Sequence, residues 1–211
     1  MTHEIMALLW LIGKILLIVV PLLIAVAYMT YAERRILGLI QDRIGPNWVG
    51  PFGLLQPFAD GAKLFFKELL VPHRSNPWLF IIAPSITFIT SILAWAAIPF
   101  SWHWVLANMN AGILYIFAMT SLGVYGLIIA GWSSNSKYGL YGALRTAAQV
   151  ISYELAMGFS LVGVVLAADS TNLSQIVLAQ QGGFWHWYWL PLFPLFIIYW
   201  ICGLAETNRS P

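Results

Sequence analysis

Residues 5–29 read IMALLWLIGKILLIVVPLLIAVAYM, an apolar run whose one charge is Lys14. A transmembrane helix needs about 20 mainly apolar residues, and this run exceeds that length. It is too long for the apolar part of a removable signal peptide and lacks a small-residue cleavage site. Four further runs meet the same criterion: Trp78 to Ile98, Ala111 to Ala130, Val150 to Ala168 and Tyr188 to Leu204. The expected fold is an all-α, polytopic integral membrane helix bundle. Lys14 lies in the outer half of its run, where snorkelling to the interface is favoured over a proton-relay role.

Composition agrees with this reading. Of the 211 residues 60% are apolar and only 9% charged, against roughly 45–50% and about 25% in soluble domains. So few charges cannot clothe the surface of a soluble fold. The net charge of +2 gives no electrostatic footprint for nucleic acid. Cys202 is the single cysteine, which excludes an intrachain disulfide and a Cys₄ iron–sulfur site. His3, His73, His103 and His186 all fall outside the apolar runs, so a bis-His membrane haem has no ligands and no metal site is expected. Neither a G-x-G-x-x-G nor a Walker A pattern occurs, so no nucleotide site of those kinds is signalled. If the protein serves electron transfer, the carriers sit on other chains.

The basic residues set an orientation. Arg34, Arg35, Arg43, Lys63, Lys67 and Arg74 lie between the first two runs, Lys137 and Arg145 between the third and fourth, and Arg209 after the fifth. The connections at residues 99–110 and 169–187 contain no Lys or Arg. The positive-inside rule therefore places the N-terminus outside and the C-terminus in the cytoplasm. Trp102, Trp104, Trp185, Trp187 and Trp189 then belong to the outer aromatic belt. No repeat, low-complexity segment or soluble domain is visible, so residues 1–211 read as one membrane domain.

The cytoplasmic loops carry the chemistry. Gly45 and Pro46 break the chain after Arg43, and a helical period returns from Leu54 to Val71. Phe58, Ala62, Phe65, Phe66 and Leu69 share one face of that segment, and Gln56, Asp60, Lys63 and Lys67 the other. Such a helix is expected to lie in the interface. Lys63 and Lys67 fit a surface anchor, whereas Asp60 is disfavoured beside anionic lipid and suits a protein partner or a lined cavity equally well. In the fourth run, Ser152-Tyr153-Glu154 puts a carboxylate about one turn inside the apolar boundary. Intramembrane carboxylates mark proton or ion paths unless paired. Arg145 is nine residues earlier, about 13 Å along a helix, and out of reach. An interhelical ion pair is the structural alternative.

Several motifs together resemble one family. They are Ala32-Glu33-Arg34-Arg35, Asp42-Arg43-Ile44-Gly45-Pro46-Asn47, the run from Gln56 to Glu68 (QPFADGAKLFFKE), Gly131-Trp132-Ser133-Ser134-Asn135-Ser136-Lys137-Tyr138, Ser152-Tyr153-Glu154 and Ala205-Glu206-Thr207-Asn208-Arg209-Ser210-Pro211. The family is the H subunit of NADH:quinone oxidoreductase, called NADH dehydrogenase subunit 1 in mitochondria, and the likeness runs in order from the first apolar run to the last residue. In that family an acidic, glutamate-rich loop and three further membrane helices follow the Glu-Thr-Asn-Arg motif. The resemblance thus implies that the chain is the N-terminal portion of such a subunit and does not work alone.

The resemblance further implies a place at the heel of the membrane arm of respiratory complex I, in a bacterial inner membrane. There the subunit meets the hydrophilic arm on the cytoplasmic side and neighbouring membrane-arm subunits in the bilayer. Glu33, Arg34, Arg43, Asp60, Glu206 and Arg209 match positions lining the quinone tunnel, and Glu154 and Glu206 match the proton axis. Quinone is the substrate; NADH, FMN and iron–sulfur clusters belong to partner subunits, and this chain binds no cofactor of its own. Quinone reduction takes two electrons and two protons, so carboxylates in a poorly solvated channel beside arginines can exchange protons as local charge changes. Homologous membrane subunits of energy-converting hydrogenase-type complexes share part of the pattern, but Gly45-Pro46-Asn47 and Glu206-Thr207-Asn208-Arg209 fit the quinone branch better. A stand-alone cation/proton antiporter would be expected to show paired repeats and mid-membrane helix breaks, and neither is visible.

The distribution of Lys and Arg predicts that a reporter fused after Arg145 reads as cytoplasmic and one fused near Asn172 as periplasmic. The opposite pattern of reporter activity would reverse the orientation.

Overall fold

The computed structural model describes residues 2–101 and 104–208, and it places no named strand among them. Trp102, His103 and Arg209 lie outside the described residues. The chain divides into two compact units, Met1–Leu70 and Val71–Pro211.

The first unit contains α1 (Thr2–Ile40) and α2 (Gln56–Phe65). Helix α1 continues well past the apolar run and carries Glu33, Arg34 and Arg35 in its last turns. Its 39 residues extend about 58 Å at 1.5 Å per residue, roughly twice the hydrocarbon thickness of a bilayer. A helix is the one conformation that satisfies all these backbone amides locally in lipid, and it also accommodates Pro21 in its interior. Helix α2 is shorter than the expected 54–71 segment. The Phe66 amide closes on Ala62 and Leu64 carbonyls, and Leu69 and Leu70 beyond it are exposed. A short helix holds only where a face packs, and these residues have no packed face within their unit.

The orientation of α2 also refines the expected amphipathic pattern. Gln56 and Asp60 are half-buried, while Phe58, Phe65 and Phe66 are exposed. The polar edge therefore turns toward α1, and the phenylalanine-rich edge turns outward, apart from an edge-to-face contact of Phe58 with Tyr28 at 6.0 Å. Between the helices the loop is compact. Gly53 has φ +76, and a Cβ there would meet the Pro46 carbonyl oxygen at 2.2 Å, so both backbone conformation and space demand glycine.

The second unit contains α3 (Pro77–Ala94), α4 (Gly112–Ser133), α5 (Lys137–Ala168), α6 (Leu173–Ala179) and α7 (Phe193–Asn208). Side-chain caps start three of them. Asn76 accepts from the Leu79 amide, Ser136 from Gly139, and Asn172 from Ser174 and Gln175. The Ser136 cap starts α5 thirteen positions before the expected Val150, so Arg145 and Glu154 share one 32-residue helix. Glu154 consequently lies near the helix middle, about 25 Å beyond Lys137.

Among the described residues four helices are long and apolar enough to cross a membrane: Glu4–Ile40, Pro77–Ala97, Gly112–Ser133 and Lys137–Ala168. The fifth expected run is helical and strongly apolar only over Phe193–Ala205. Leu190 and Leu192 amides instead bond the Trp187 and Tyr188 carbonyls in a turn. Pro191 and Pro194 explain the late start, since proline lacks the N–H a helix interior needs and is tolerated in a first turn.

Helices α3 and α4 pack closely through small residues and hydroxyls, the usual device where lipid removes the hydrophobic drive between helices. Ala83 is fully buried. A Cβ on Gly126 would meet Thr87 Oγ1 at 2.2 Å and the Ala83 carbonyl oxygen at 2.7 Å. The Thr87 hydroxyl donates to the Gly123 carbonyl at 3.3 Å. Val124, Ala147 and Val150 form a buried apolar cluster with Leu127 and Ile128 packed against it. The turn between α4 and α5 is equally tight. Asn135 adopts φ 49 and donates to the Arg74 carbonyl at 3.1 Å, while Asn76 N–H bonds the Ser133 carbonyl. At the opposite end, the Asn172 amide donates to Asn108 at 2.8 Å and Thr171 to the Asn110 carbonyl at 2.6 Å.

Replacing Gly126 by leucine is expected to destabilise the α3–α4 pair by about 1–3 kcal/mol through overpacking. Gly142→Ala, with open space around the added Cβ, should leave stability essentially unchanged. Thermal unfolding of the protein in nanodiscs checks both, and equal melting temperatures for the two variants would refute the close approach.

Candidate functional site

Two groups of charged side chains stand out, one in each unit. In the first, the Ala32-Glu33-Arg34-Arg35 motif places its arginines on the last turns of α1, and each has its own partner. Arg34 Nη1 donates to Asp60 Oδ2 at 2.5 Å, and this is the ion pair found among the described residues. Gln56 Nε2 donates to the other oxygen, Asp60 Oδ1, at 3.1 Å. Gln56 lies four positions before Asp60, so the helix itself delivers this contact. The Arg34 guanidinium, helped by the Gln56 amide, holds the Asp60 carboxyl below the usual carboxylate range. Asp60 is thus paired within its own unit, and its place in the polar edge of α2 follows from that charge.

Arg35 reaches the loop instead. Its Nη1 donates to the Phe52 carbonyl at 3.0 Å and also to the Tyr31 hydroxyl, and Tyr31 donates to the same carbonyl at 2.7 Å. Phe52 itself has φ 56, a conformation unfavourable for a bulky residue. Two donors from one face of α1 therefore stabilise a strained loop residue. Arg35, Asp42, Arg43, Asn47 and Phe52 line a cavity of about 480 Å³, in which Arg43 Nε also donates to Gln41 at 2.7 Å. Glu33 is exposed and joins neither hydrogen-bonded group. The expected tunnel residues are thus divided: Arg34 and Asp60 meet, Arg43 belongs to the neighbouring loop cavity, and Glu33 stands apart.

In the second unit Glu154 is 7% exposed. Its Oε2 accepts a hydrogen bond from Ser121 Oγ of α4 at 3.0 Å, and its Oε1 is buried without a protein donor among the described residues. Glu154 lines two cavities. One, of about 670 Å³, is bounded by α4 and α5 and includes Ser121, Tyr125 and Phe159. The other, of about 590 Å³, includes Thr120 on α4 and Tyr199 on α7. The walls of both are otherwise mainly apolar, with Thr171 also lining the first. Among the described residues no cation lies within ion-pair distance of Glu154. Glu206 falls in the last turns of α7, and Arg209 lies outside the described residues.

Sequence reasoning located Glu154 and Asp60 but missed Ser121, Tyr31 and the contact of Gln56 with Asp60. Ser121 is 33 positions from its partner, and a lone serine in an apolar helix carries no local signal. Tyr31 was legible only as the neighbour of the arginine motif. No cluster of three or more His, Cys, Asp or Glu side chains able to hold a metal occurs among the described residues.

Because the Asp60 carboxyl is depressed in the folded state, the contact it makes stabilises folding above the unfolded value of about 3.9 and is lost as pH falls through the lower folded value. Amide protection in α2, taken relative to the intrinsic exchange rate at each pH, is expected to hold from neutral pH down to about pH 4 and to fall below it. Asp60→Asn should exchange modestly faster at neutral pH, since an exposed ion pair contributes little, and should lose the acid dependence. Identical exchange in both proteins at every pH would show that the pair does not hold α2.

Long apolar helices, an arginine–aspartate pair at the foot of the first and a buried carboxylate near the middle of another describe a multi-pass membrane protein with ionisable groups placed for a task. Residues 13–211 match the family model described as NADH dehydrogenase. That match covers nearly the whole sequence, and the chain belongs to the NADH dehydrogenase family as a membrane subunit of the complex I type.

Proposed function

We propose that this chain is the membrane subunit of a proton-translocating NADH:quinone oxidoreductase that shapes the quinone tunnel and links quinone reduction to the proton-pumping arm. The observation that carries this reading is Glu154. Burying a carboxylate in an apolar helix bundle is costly, and such groups are kept where they pair or move protons. Here the contact is a serine hydroxyl, and among the described residues no cation neutralises the charge. That disfavours the interhelical ion pair and supports a group that takes up and releases a proton. The apolar cluster of Val124, Ala147 and Val150 lies about one turn from Glu154 toward the start of α5.

The quinone side of the proposal rests on the first unit. A quinone headgroup needs hydrogen-bond donors and a proton source, and its isoprenoid tail needs an apolar surface. Arg34 and Asp60 supply the charged pair, and the outward phenylalanines of α2 supply apolar surface beside it. In this reading Glu33 and Arg43 belong to the quinone side as well, and Glu206 joins Glu154 on the proton axis. The two electrons reach quinone from an iron–sulfur cluster on a partner subunit, because the single cysteine here cannot hold one. NADH and FMN chemistry likewise belong to the hydrophilic arm, which docks on the cytoplasmic loops. The membrane is the bacterial inner membrane, with the N-terminus periplasmic.

In the assembled enzyme, Glu154→Gln keeps the side-chain shape and removes the titratable group. Coupled NADH:quinone turnover and proton pumping should fall by at least about tenfold, while NADH oxidation by a water-soluble acceptor and the amount of assembled complex stay at parental levels. Unchanged turnover in Glu154→Gln, together with lost assembly in Glu154→Ala, would make the carboxylate structural and overturn the proposal.

A further inference from the structure

Thr120 and Ser121 are adjacent on α4, yet each lines a different one of the two cavities described at Glu154. Ser121 lines only the cavity bounded by α4 and α5, and Thr120 lines only the one that also includes Tyr199 of α7. Glu154 borders both. The two carboxylate oxygens are correspondingly unequal: Oε2 is held by the Ser121 hydroxyl at 3.0 Å, whereas Oε1 is buried with no protein donor. An ionised carboxylate only accepts hydrogen bonds, so the serine hydroxyl must donate. A proton arriving on Oε2 would meet that donor hydrogen. A proton arriving on Oε1 leaves the Ser121 bond intact, with Oε2 becoming the carbonyl oxygen that accepts it.

We infer that Ser121 is a positioning residue that fixes the rotamer of Glu154, reserves Oε2 as an acceptor and leaves Oε1 as the oxygen that exchanges the proton. The bond between Oε1 and the proton forms and breaks with no electron transfer, and the proton's donor and acceptor are water entering the cavities that Glu154 borders. A rotamer held by one hydrogen bond matters here because the apolar walls offer no other anchor. Without it the carboxyl group is free to swing toward either cavity, and the fraction of time spent in the exchanging geometry falls. This inference rests on the reading of Glu154 as a proton carrier.

The test uses the full assembled complex in membranes or nanodiscs. Ser121→Ala is expected to lower coupled NADH:quinone turnover by about tenfold, the scale of one hydrogen bond to a charged group, while oxidation of NADH by a water-soluble acceptor is unchanged. Ser121→Thr, which keeps the hydroxyl, should restore most of the loss. Infrared difference spectra supply an independent readout. The carboxyl band that disappears in Glu154→Gln should move to higher wavenumber in Ser121→Ala, since its carbonyl loses a donor, and should return in Ser121→Thr. If Ser121→Ala leaves both turnover per assembled complex and the Glu154 band in place, the positioning role is refuted, whatever happens to the yield of complex. If the Ser121→Ala loss is not rescued by Ser121→Thr, the hydroxyl is not the operative group and the inference also fails. An unaffected Glu154→Gln enzyme would instead remove the proton-carrier reading, and the infrared shift would then report on the hydrogen bond alone.

Discussion

A backbone amide in hydrocarbon has no water to bond, and each one left unsatisfied costs several kcal/mol. The architecture follows from that constraint. Every apolar run must close its own hydrogen bonds, so each becomes a helix, and irregular backbone is confined to the connections. Where α7 begins late, the reason is the same accounting of N–H groups, since Pro191 and Pro194 cannot donate. Where α1 runs far beyond its apolar stretch, the helix carries its arginines out of the hydrocarbon while keeping its backbone satisfied.

Lipid also removes the force that assembles soluble cores. Few side chains are fully buried, and most large apolar residues face outward. What holds the second unit together is contact geometry: Gly126 against Thr87 and Ala83, the Thr87 hydroxyl on the Gly123 carbonyl, and polar ties at both ends of the helices. Within so apolar a bundle, Glu154 is the one charged side chain buried among the described residues, and its carboxylate accepts a hydrogen bond from Ser121.

The first unit solves a different problem. Helix α2 is short, has few buried residues and gains little from packing. It is placed by the Arg34–Asp60 pair and Gln56, while Tyr31 and Arg35 hold the strained Phe52 in the loop before it. Adjacent arginines on one helix thus divide their work between a helix and a loop. The arrangement keeps two guanidinium groups and a carboxylate within a small region.

Helix identity, the membrane class and the positions of the charged motifs were legible in the sequence, because hydropathy over some 20 residues is a local property. The unusual placement of Glu154 in an apolar run was legible for the same reason. Helix ends were less so: the Ser136 cap extended α5 by a stretch whose polarity disguised it, and prolines delayed α7. The periodic pattern of α2 identified its two faces but not which would meet α1, since that depends on Arg34, 26 positions away. The identity of Ser121 as the partner of Glu154 was decided by tertiary structure alone. A lone serine and a lone glutamate 33 residues apart become a pair only when α4 and α5 pack, and no local periodicity records which residues two packed helices bring face to face.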